Sequence, residues 1–386
     1  MRTTGLYDVI VVGGGIIGCS SAYALAVKGV RTLLIEGSAI GNAAASSHGR
    51  SRIIRLAYDS DEYIKLARAA FQVWKDVEAD VEMDLMRKVG GLDLAFESVG
   101  SWQKSLDAMQ KSGVSCEVLS RQELERAWPQ FDVPEGTVSF YQPDTAILHA
   151  DLCLEAMVKL ARRSGVDIVE WQEVKGITPT PNGVTIATDS EVYRAQNAVL
   201  AAGPQMPKLL KKLDLELRLA VSKEHVAFFQ PARPQLFGPD RLPVFIMHFG
   251  NGRLGSGFPL VRDAGVKVMI ESRTPSTTDD LSLDFEHLWA LQSRIKQILP
   301  DLAVMSRAET CRYTMTPDSN FVIDRHPCHR QILIASPCSG HGFKFGPLLG
   351  SAVAEMCVGD TLDGGLQPFR IDRPLLGYRQ AVGDVA

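Results

Sequence analysis

Tyr7-Asp8-Val9-Ile10-Val11-Val12 runs straight into Gly13-Gly14-Gly15-Ile16-Ile17-Gly18, and the Ala-rich stretch Cys19–Val27 follows. The apolar, β-branched run reads as a buried strand, the glycines as a turn, and the small apolar residues after them as a helix. A second apolar run, Thr32–Ile35, ends at Glu36. Strand, glycine turn, helix and strand make one βαβ unit, which places the chain in the α/β class. In Gly13-x-Gly15-x-x-Gly18 the first glycine makes the turn and the second lets backbone approach a pyrophosphate. The third allows close helix–strand packing. Ile16 and Ile17 belong to the same first helical turn, whose N-terminal end favours phosphate through its partial positive charge. Glu36 is placed to accept ribose hydroxyls, and its charge would repel a 2′-phosphate. The pattern predicts a dinucleotide site for NAD or FAD rather than NADP.

Working outward, Asp61–Asp80 has helical spacing, with Tyr63, Leu66, Ala70, Phe71 and Trp74 on or near one face. After Asp84, short apolar runs alternate with glycine and polar turns, and Ser101–Ser112 is a polar helix candidate. Asp151–Arg163 reads as a helix, and Val166–Glu170, Val184–Thr188 and Tyr193–Ala202 as strands, the last closing in Ala201-Ala202-Gly203-Pro204. Residues 217–273 are rich in strand candidates: Val221–Phe229, Val244–Phe249 and Val266–Glu271. Asp284–Leu299 is an amphipathic helix, Gln331–Ala335 a buried strand and Gly350–Val358 a helix. A chain of 386 residues exceeds the roughly 250–300 that one core supports, so two domains are expected. The expected layout is discontinuous. A Rossmann-like cofactor domain takes 1–84, 145–216 and 305–386, and a mainly antiparallel β substrate domain takes 85–144 and 217–304.

An apolar fraction of 45%, a charged fraction of 22% and a net charge of −4 are ordinary for a globular enzyme. No basic block or stripe argues for nucleic acid or an anionic membrane. The apolar runs are strand-length, far short of the roughly 18–20 residues of a membrane span. The first ten residues enter a strand at once, so a cleavable signal peptide is not expected. The closing Gly-Asp-Val-Ala is not a peroxisomal address of the Ser-Lys-Leu type. Seven cysteines without a paired framework indicate a reducing, cytoplasmic setting. No spacing suggests a metal site.

Gly41-Asn42-Ala43-Ala44-Ala45-Ser46-Ser47-His48-Gly49-Arg50-Ser51-Arg52-Ile53-Ile54-Arg55 joins small residues, suited to lie against a cofactor, to one histidine and three arginines. A solvated basic turn is the plain alternative, but Ile53-Ile54 implies a half-buried strand or helix start. Arginines beside buried residues usually hold an anion. Further on come Gly257-Phe258-Pro259, Gly265-Val266-Lys267, Cys311-Arg312-Tyr313-Thr314-Met315-Thr316-Pro317-Asp318 and Ser339-Gly340-His341-Gly342-Phe343-Lys344. In these blocks and their order the chain resembles the monomeric sarcosine oxidase family, which includes N-methyltryptophan oxidase and pipecolate-oxidising relatives. They sit within the D-amino acid oxidase-type flavoproteins.

The resemblance implies FAD, joined through a thioether from Cys311 to the 8α-methyl of the flavin. It places Gly13, Gly15, Ile16, Ile17, Gly18, Glu36, Ser46, Ser47, Ala202, Gly203, Gly340, Gly342 and Phe343 around the cofactor. His48 and Arg52 come beside the flavin ring, although a buried structural histidine is the competing reading for His48. Arg55 and Lys344 become the pair that clamps a substrate carboxylate, the alternative for Lys344 being a snorkelling surface lysine. Lys267 follows Asp263-Ala264-Gly265-Val266. Strand alternation alone would turn it to solvent, whereas the resemblance puts it near flavin N5, where a fixed cation assists O₂. Cys19, Cys153 and Cys357 read as small buried hydrophobes, and Cys338 as a neighbour of the flavin. Met247, Ser256 and Glu271 fall at substrate-contacting positions. Ser256 replaces a tyrosine of sarcosine oxidases and Glu271 a histidine, which implies a larger pocket and a substrate other than sarcosine.

The expected activity is oxidation of secondary or cyclic α-amino acids by O₂, giving an imine and hydrogen peroxide, in a monomer without nucleic acid or membrane partners. The alternatives are a flavin amine dehydrogenase, a tailoring enzyme acting on a larger amine or imine, and a non-catalytic FAD-binding protein.

Overall fold

The computed structural model describes residues 2–96, 100–262, 265–276, 280–359 and 365–380. Asp263 and Ala264, quoted above before Gly265, and the closing residues 383–386 lie outside the described residues.

The glycine-rich unit forms as its pattern predicts: strand Arg2–Val12, helix Ile16–Val27, strand Thr32–Ile35. All four residues of the second strand are buried, as a strand covered on both faces requires. Arg2–Val12 pairs in parallel with Thr32–Ile35 on one side and with Glu191–Leu200 on the other. Asp167–Val169 extends the sheet beyond Thr32–Ile35, and Ile332–Ser336 runs parallel to the far end of Glu191–Leu200. Antiparallel strands Val174–Thr180, Gly183–Thr188 and Val322–Arg325 complete eight strands. Helices Ile16–Val27, Asp61–Val81, Ala150–Arg163 and Gly346–Val358 share one core, in which Trp74 is fully buried. The long helix starts where Ser60 accepts a hydrogen bond from the Tyr63 amide. Its buried Tyr63, Ile64, Ala67, Ala70, Trp74, Val77 and Val81 recur every three or four residues. Burying a side chain such as Ile64 contributes roughly 1.5–3 kcal/mol.

A second sheet of nine strands runs Thr274–Pro275, Ala220–Gln230, Val266–Ile270, Leu254–Phe258, Val244–His248, Gly91–Ala95, Val138–Gln142, Glu117–Leu119, with Val304–Met315 on Ala220–Gln230. It is antiparallel except where Val244–His248 meets Gly91–Ala95. Helix Phe285–Ile298 covers one face, packing Leu288, Leu291, Ile295 and Ile298 against Phe229, Phe245, Met247, Val266 and Val268. The other face carries Val226, Phe228, Ile246, His248, Ser256, Phe258, Lys267 and Met269 into a large cavity. Period-two alternation thus divides each strand between a greasy back and a working front.

Strand Val304–Met315 departs from the layout read in the sequence, which put 305–386 with the cofactor domain; its pairing places it in the nine-stranded sheet. Its sequence, Val-Met-Ser-Arg-Ala-Glu-Thr-Cys-Arg-Tyr-Thr-Met, carries three charged residues and no run of buried hydrophobes, so periodicity gives it little signal. A small sheet, Ser51–Ile54, Ala146–His149 and Met86–Lys88, stands beside the two large ones. Among the described residues no helix is long and apolar enough to cross a membrane, and no group of three His, Cys, Asp or Glu could hold a metal ion.

Candidate active site

One continuous cavity of about 1160 Å³ runs from the glycine turn to the front of the nine-stranded sheet. At one end Gly13 has φ +108° and sits so close to the Ala201 carbonyl that a Cβ there would lie 2.5 Å from its oxygen. Gly18 meets the Gly13 carbonyl at 1.8 Å by the same measure, so this turn admits only glycine at both positions. Gly15 caps the helix without a side-chain bond, and the Ile16 amide donates to Ser47 Oγ at 3.0 Å. The Glu36 carboxylate accepts from the Gly14 and Ser38 amides at 2.6 and 3.0 Å. Burial raises its pKa against the pull of those amides. Gly13, Gly15, Ile16, Ile17, Glu36, Ser46, Ser47, Ala202 and Gly203 all line the cavity, whereas Gly18 does not and acts through packing alone.

The middle of the cavity is ringed by His48, Arg52, Lys267, Cys311, Gly340, Gly342 and Phe343. Ser51–Ile54 is the half-buried strand that Ile53-Ile54 implied. Arg52 donates to the carbonyls of Ser46 at 2.9 Å and Ser51 at 2.8 Å, and its guanidinium lies 5.4 Å from the Phe343 ring centroid. His48 approaches the Gly41 carbonyl at 3.4 Å. Lys267 overturns the plain alternation reading. It is only 9% exposed, its ammonium donates to the Ser51 carbonyl and hydroxyl at 3.0 and 3.2 Å, and it stands 4.6 Å from the Phe258 ring centroid. The face it occupies is turned inward, not to solvent. Cys311 is half-buried on the same cavity, its thiol pushed up to about 11 by burial, with Arg52 and Lys267 pulling it back. Cys338 accepts the Thr314 amide at 3.2 Å, and Cys19 and Cys153 are fully buried. Cys357 is half-buried. Gly342 is required by close approach, since a Cβ would lie 1.4 Å from the Pro337 carbonyl oxygen.

Beyond the ring stand Arg55 and Lys344. The Arg55 guanidinium meets Asp93 Oδ1 at 3.3 Å, and His248 Nε2 meets the same oxygen at 2.7 Å. Asp93 is 2% exposed and lies behind the lining, with His248 on it. Lys344 is 6% exposed, not a snorkelling surface residue, and donates to the Tyr58 hydroxyl at 2.8 Å. Burial and the nearby Arg55 drive its pKa well below that of a free lysine.

Ser256 and Glu271 also line the cavity, as do Gly252, Leu254 and Arg273. The Glu271 carboxylate is already engaged, accepting from Arg273 Nε and Nη2 at 3.1 and 2.8 Å and from the Leu254 amide at 3.3 Å. Met247 is a correction. It is 0% exposed and packs among Phe245, Val268 and the covering helix, so its strand presents Ile246 and His248 to the cavity instead. Tyr58, His248, Tyr313 and His341, all on the cavity, escaped the sequence reading. A histidine on an apolar strand and tyrosines flanking quoted motifs carry no periodic signal, although Tyr313 and His341 stand inside the most distinctive blocks.

The donor set suits FAD: a helix N-terminus whose cap residue Gly15 brings no side chain, an acidic ribose acceptor, and arginine, lysine and a thiol along a cavity large enough for a dinucleotide and a small substrate. Comparison with known proteins agrees. The chain is 32% identical over 381 residues to the peroxisomal sarcosine oxidase of Homo sapiens, covering 96% of this chain and 97% of that one. It is 29% identical over 378 residues to the monomeric sarcosine oxidase of a Bacillus species, covering 96% and 97%. Among solved structures, NikD in its open form, an unusual amino acid oxidase essential for nikkomycin biosynthesis, superimposes with a TM-score of 0.85 at 24% identity, covering 95% of this chain and 98% of NikD. That likeness speaks to the fold. Residues 8–356, which hold both the glycine turn and the Cys311–Lys344 region, match the family described as FAD dependent oxidoreductase, and the chain belongs to it.

Proposed function

We propose that the chain is an FAD-dependent oxidase of secondary or cyclic α-amino acids, working as a cytoplasmic monomer with its flavin bonded to Cys311. The observation that carries the reading is the convergence of Arg55, Lys344, Lys267 and Cys311 on the cavity that also holds the glycine turn and Glu36. When bound, FAD supplies the two-electron acceptor for the α C–H bond and the route from there to O₂. Arg55 and Lys344 bind the substrate carboxylate, the arginine in bidentate fashion and the lysine as a point charge. Asp93, braced by His248, fixes the guanidinium beforehand, so little orientation is lost when substrate arrives. Arg52 supplies positive charge beside the flavin position, and His48 a ring that can hydrogen-bond there. Lys267, locked onto Ser51, holds a cation where negative charge develops as O₂ is reduced. The substrate amine loses its hydrogen pair as an imine, and O₂ leaves as hydrogen peroxide.

The short Ser256 side chain and a lining that includes Leu254 and Arg273 favour amino acids larger than sarcosine. Glu271, paired with Arg273, would answer a polar group there. Acid precipitation of the loaded protein tests the attachment: yellow colour stays in the pellet when the flavin is bonded to Cys311. Colour released wholly to the supernatant excludes the thioether.

A further inference from the structure

The hydrogen-bond directions around Lys344 can be read one atom at a time. His341 Nε2 lies 3.0 Å from the Ser319 carbonyl oxygen, which can only accept, so Nε2 carries the proton. In the neutral ring Nδ1 is then an acceptor, and it lies 3.2 Å from the Tyr58 hydroxyl. The Tyr58 O–H therefore points at His341, which leaves its lone pairs toward Lys344 Nζ at 2.8 Å. The lysine must donate there, and the remaining protons of its ammonium stay available to the cavity. The side chains are held in place by rings. Tyr58 stacks on Tyr63 at 5.1 Å between centroids, and His341 packs against Phe321 at 4.7 Å and edge-on to Tyr63 at 5.1 Å.

We propose that Tyr58 and His341 are positioning residues for Lys344, a relay running Ser319 carbonyl, His341, Tyr58, Lys344 that presents the lysine as a charged donor to the substrate carboxylate. This rests on the assignment of Lys344 to carboxylate binding made above. The charged groups facing the relay are Arg55, with Asp93 behind it, Asp59 beside Tyr58, and the Asp318–Arg373 pair beyond Tyr63. Burial, then Lys344 and Arg55, hold His341 neutral by pushing its pKa down to about 3, which keeps Nδ1 an acceptor throughout the working range. Lys344 is depressed by burial and by Arg55, and the Tyr58 oxygen is the neighbour that favours its charged form.

The sign of the pH effect follows. A carboxylate binds best while Lys344 is charged, and affinity falls as pH rises through the lysine's depressed pKa. Removing the acceptor lowers that pKa further, so the fall begins at lower pH. The test is calorimetric titration of the FAD-loaded enzyme with tetrahydrofuran-2-carboxylate, whose ring oxygen replaces the amine and does not titrate, from neutral into alkaline pH. Tyr58→Phe and His341→Phe are expected to weaken binding about tenfold and move the loss to lower pH. His341→Asn, which returns an acceptor oxygen near the Nδ1 position, restores much of the wild-type profile. Flavin content and thermal unfolding report folding, and Tyr58→Phe alone decides the matter if the His341 variants do not fold. A wild-type profile in Tyr58→Phe, alongside weakened binding in Lys344→Met, overturns the relay and leaves the clamp standing. Wild-type affinity in Lys344→Met overturns both.

Discussion

Lys344 and Arg55 are two cations set in a cavity that discourages cations, and the structure offsets that cost differently for each. Arg55 has the buried Asp93 carboxylate, while Lys344 has a phenol oxygen and a depressed pKa. In the proposed reading a substrate carboxylate completes both. Replacing either by methionine is expected to remove a charged hydrogen bond of about 1.5–3 kcal/mol, raising KM by roughly 10–100-fold in steady-state assays. Lys267→Met should slow reoxidation of the reduced flavin by about 10²–10³-fold in stopped-flow mixing with O₂, and slow reduction by substrate far less. Cys311 makes a pH prediction. Its thiol is raised to about 11, so the thiolate is a minor species near neutrality and grows as pH rises. Incorporation of FAD into flavin-free protein should therefore form the acid-stable adduct faster at pH 9 than at pH 7. Arg52→Met, which removes a cation favouring the thiolate, should slow it.

At the scale of elements, the turn that carries Lys344 is held by the helix Asp61–Val81. Trp74 Nε1 donates to the Lys344 carbonyl at 2.7 Å, and its ring stacks on Phe343 at 6.5 Å between centroids. Trp74→Phe keeps most of the apolar contact but leaves a buried carbonyl unsatisfied. A loss of about 1–3 kcal/mol is expected by chemical denaturation, with weaker carboxylate binding as the turn loosens. Most of this helix was legible in its sequence, because the spacing of Tyr63, Ala70 and Trp74 marks its buried face, while the Ser60 cap emerged only from the structure. So was the βαβ unit, where Gly13 and Gly18 have a steric reason to be glycine. Strand Val304–Met315 was not, since its charged residues hide the alternation, and the thiol most telling for the cofactor sits on it. Met247 failed by one residue. On a strand that error turns a side chain from the cavity to the core, and only the pairing of Ile246 with Ser256 fixes which face is which. Lys267 shows the converse, where a correct strand gave the wrong environment because the inner face of this sheet fronts a cavity rather than bulk water.

Over the whole molecule, the cavity is walled by the glycine-turn sheet on one side and the front of the nine-stranded sheet on the other. A ligand that binds only the folded form should stabilise both. Flavin-free protein with FAD at about 100 times its Kd should gain roughly 2.7 kcal/mol, and a bonded flavin should make the gain independent of free FAD. The family fixes the cofactor; in the proposed reading what the chain oxidises is decided around Ser256, Glu271 and Arg273. The most direct measurement is anaerobic mixing of the FAD-loaded enzyme with sarcosine, N-methyl-L-tryptophan, L-pipecolate and the matching amines without a carboxylate, followed by air. The expected result is loss of the flavin's visible absorbance with one or more of the larger secondary amino acids, none with the decarboxylated amines, and recovery in air with stoichiometric hydrogen peroxide. Bleaching by the amines as readily as by the acids, or none with any secondary amino acid, would contradict it.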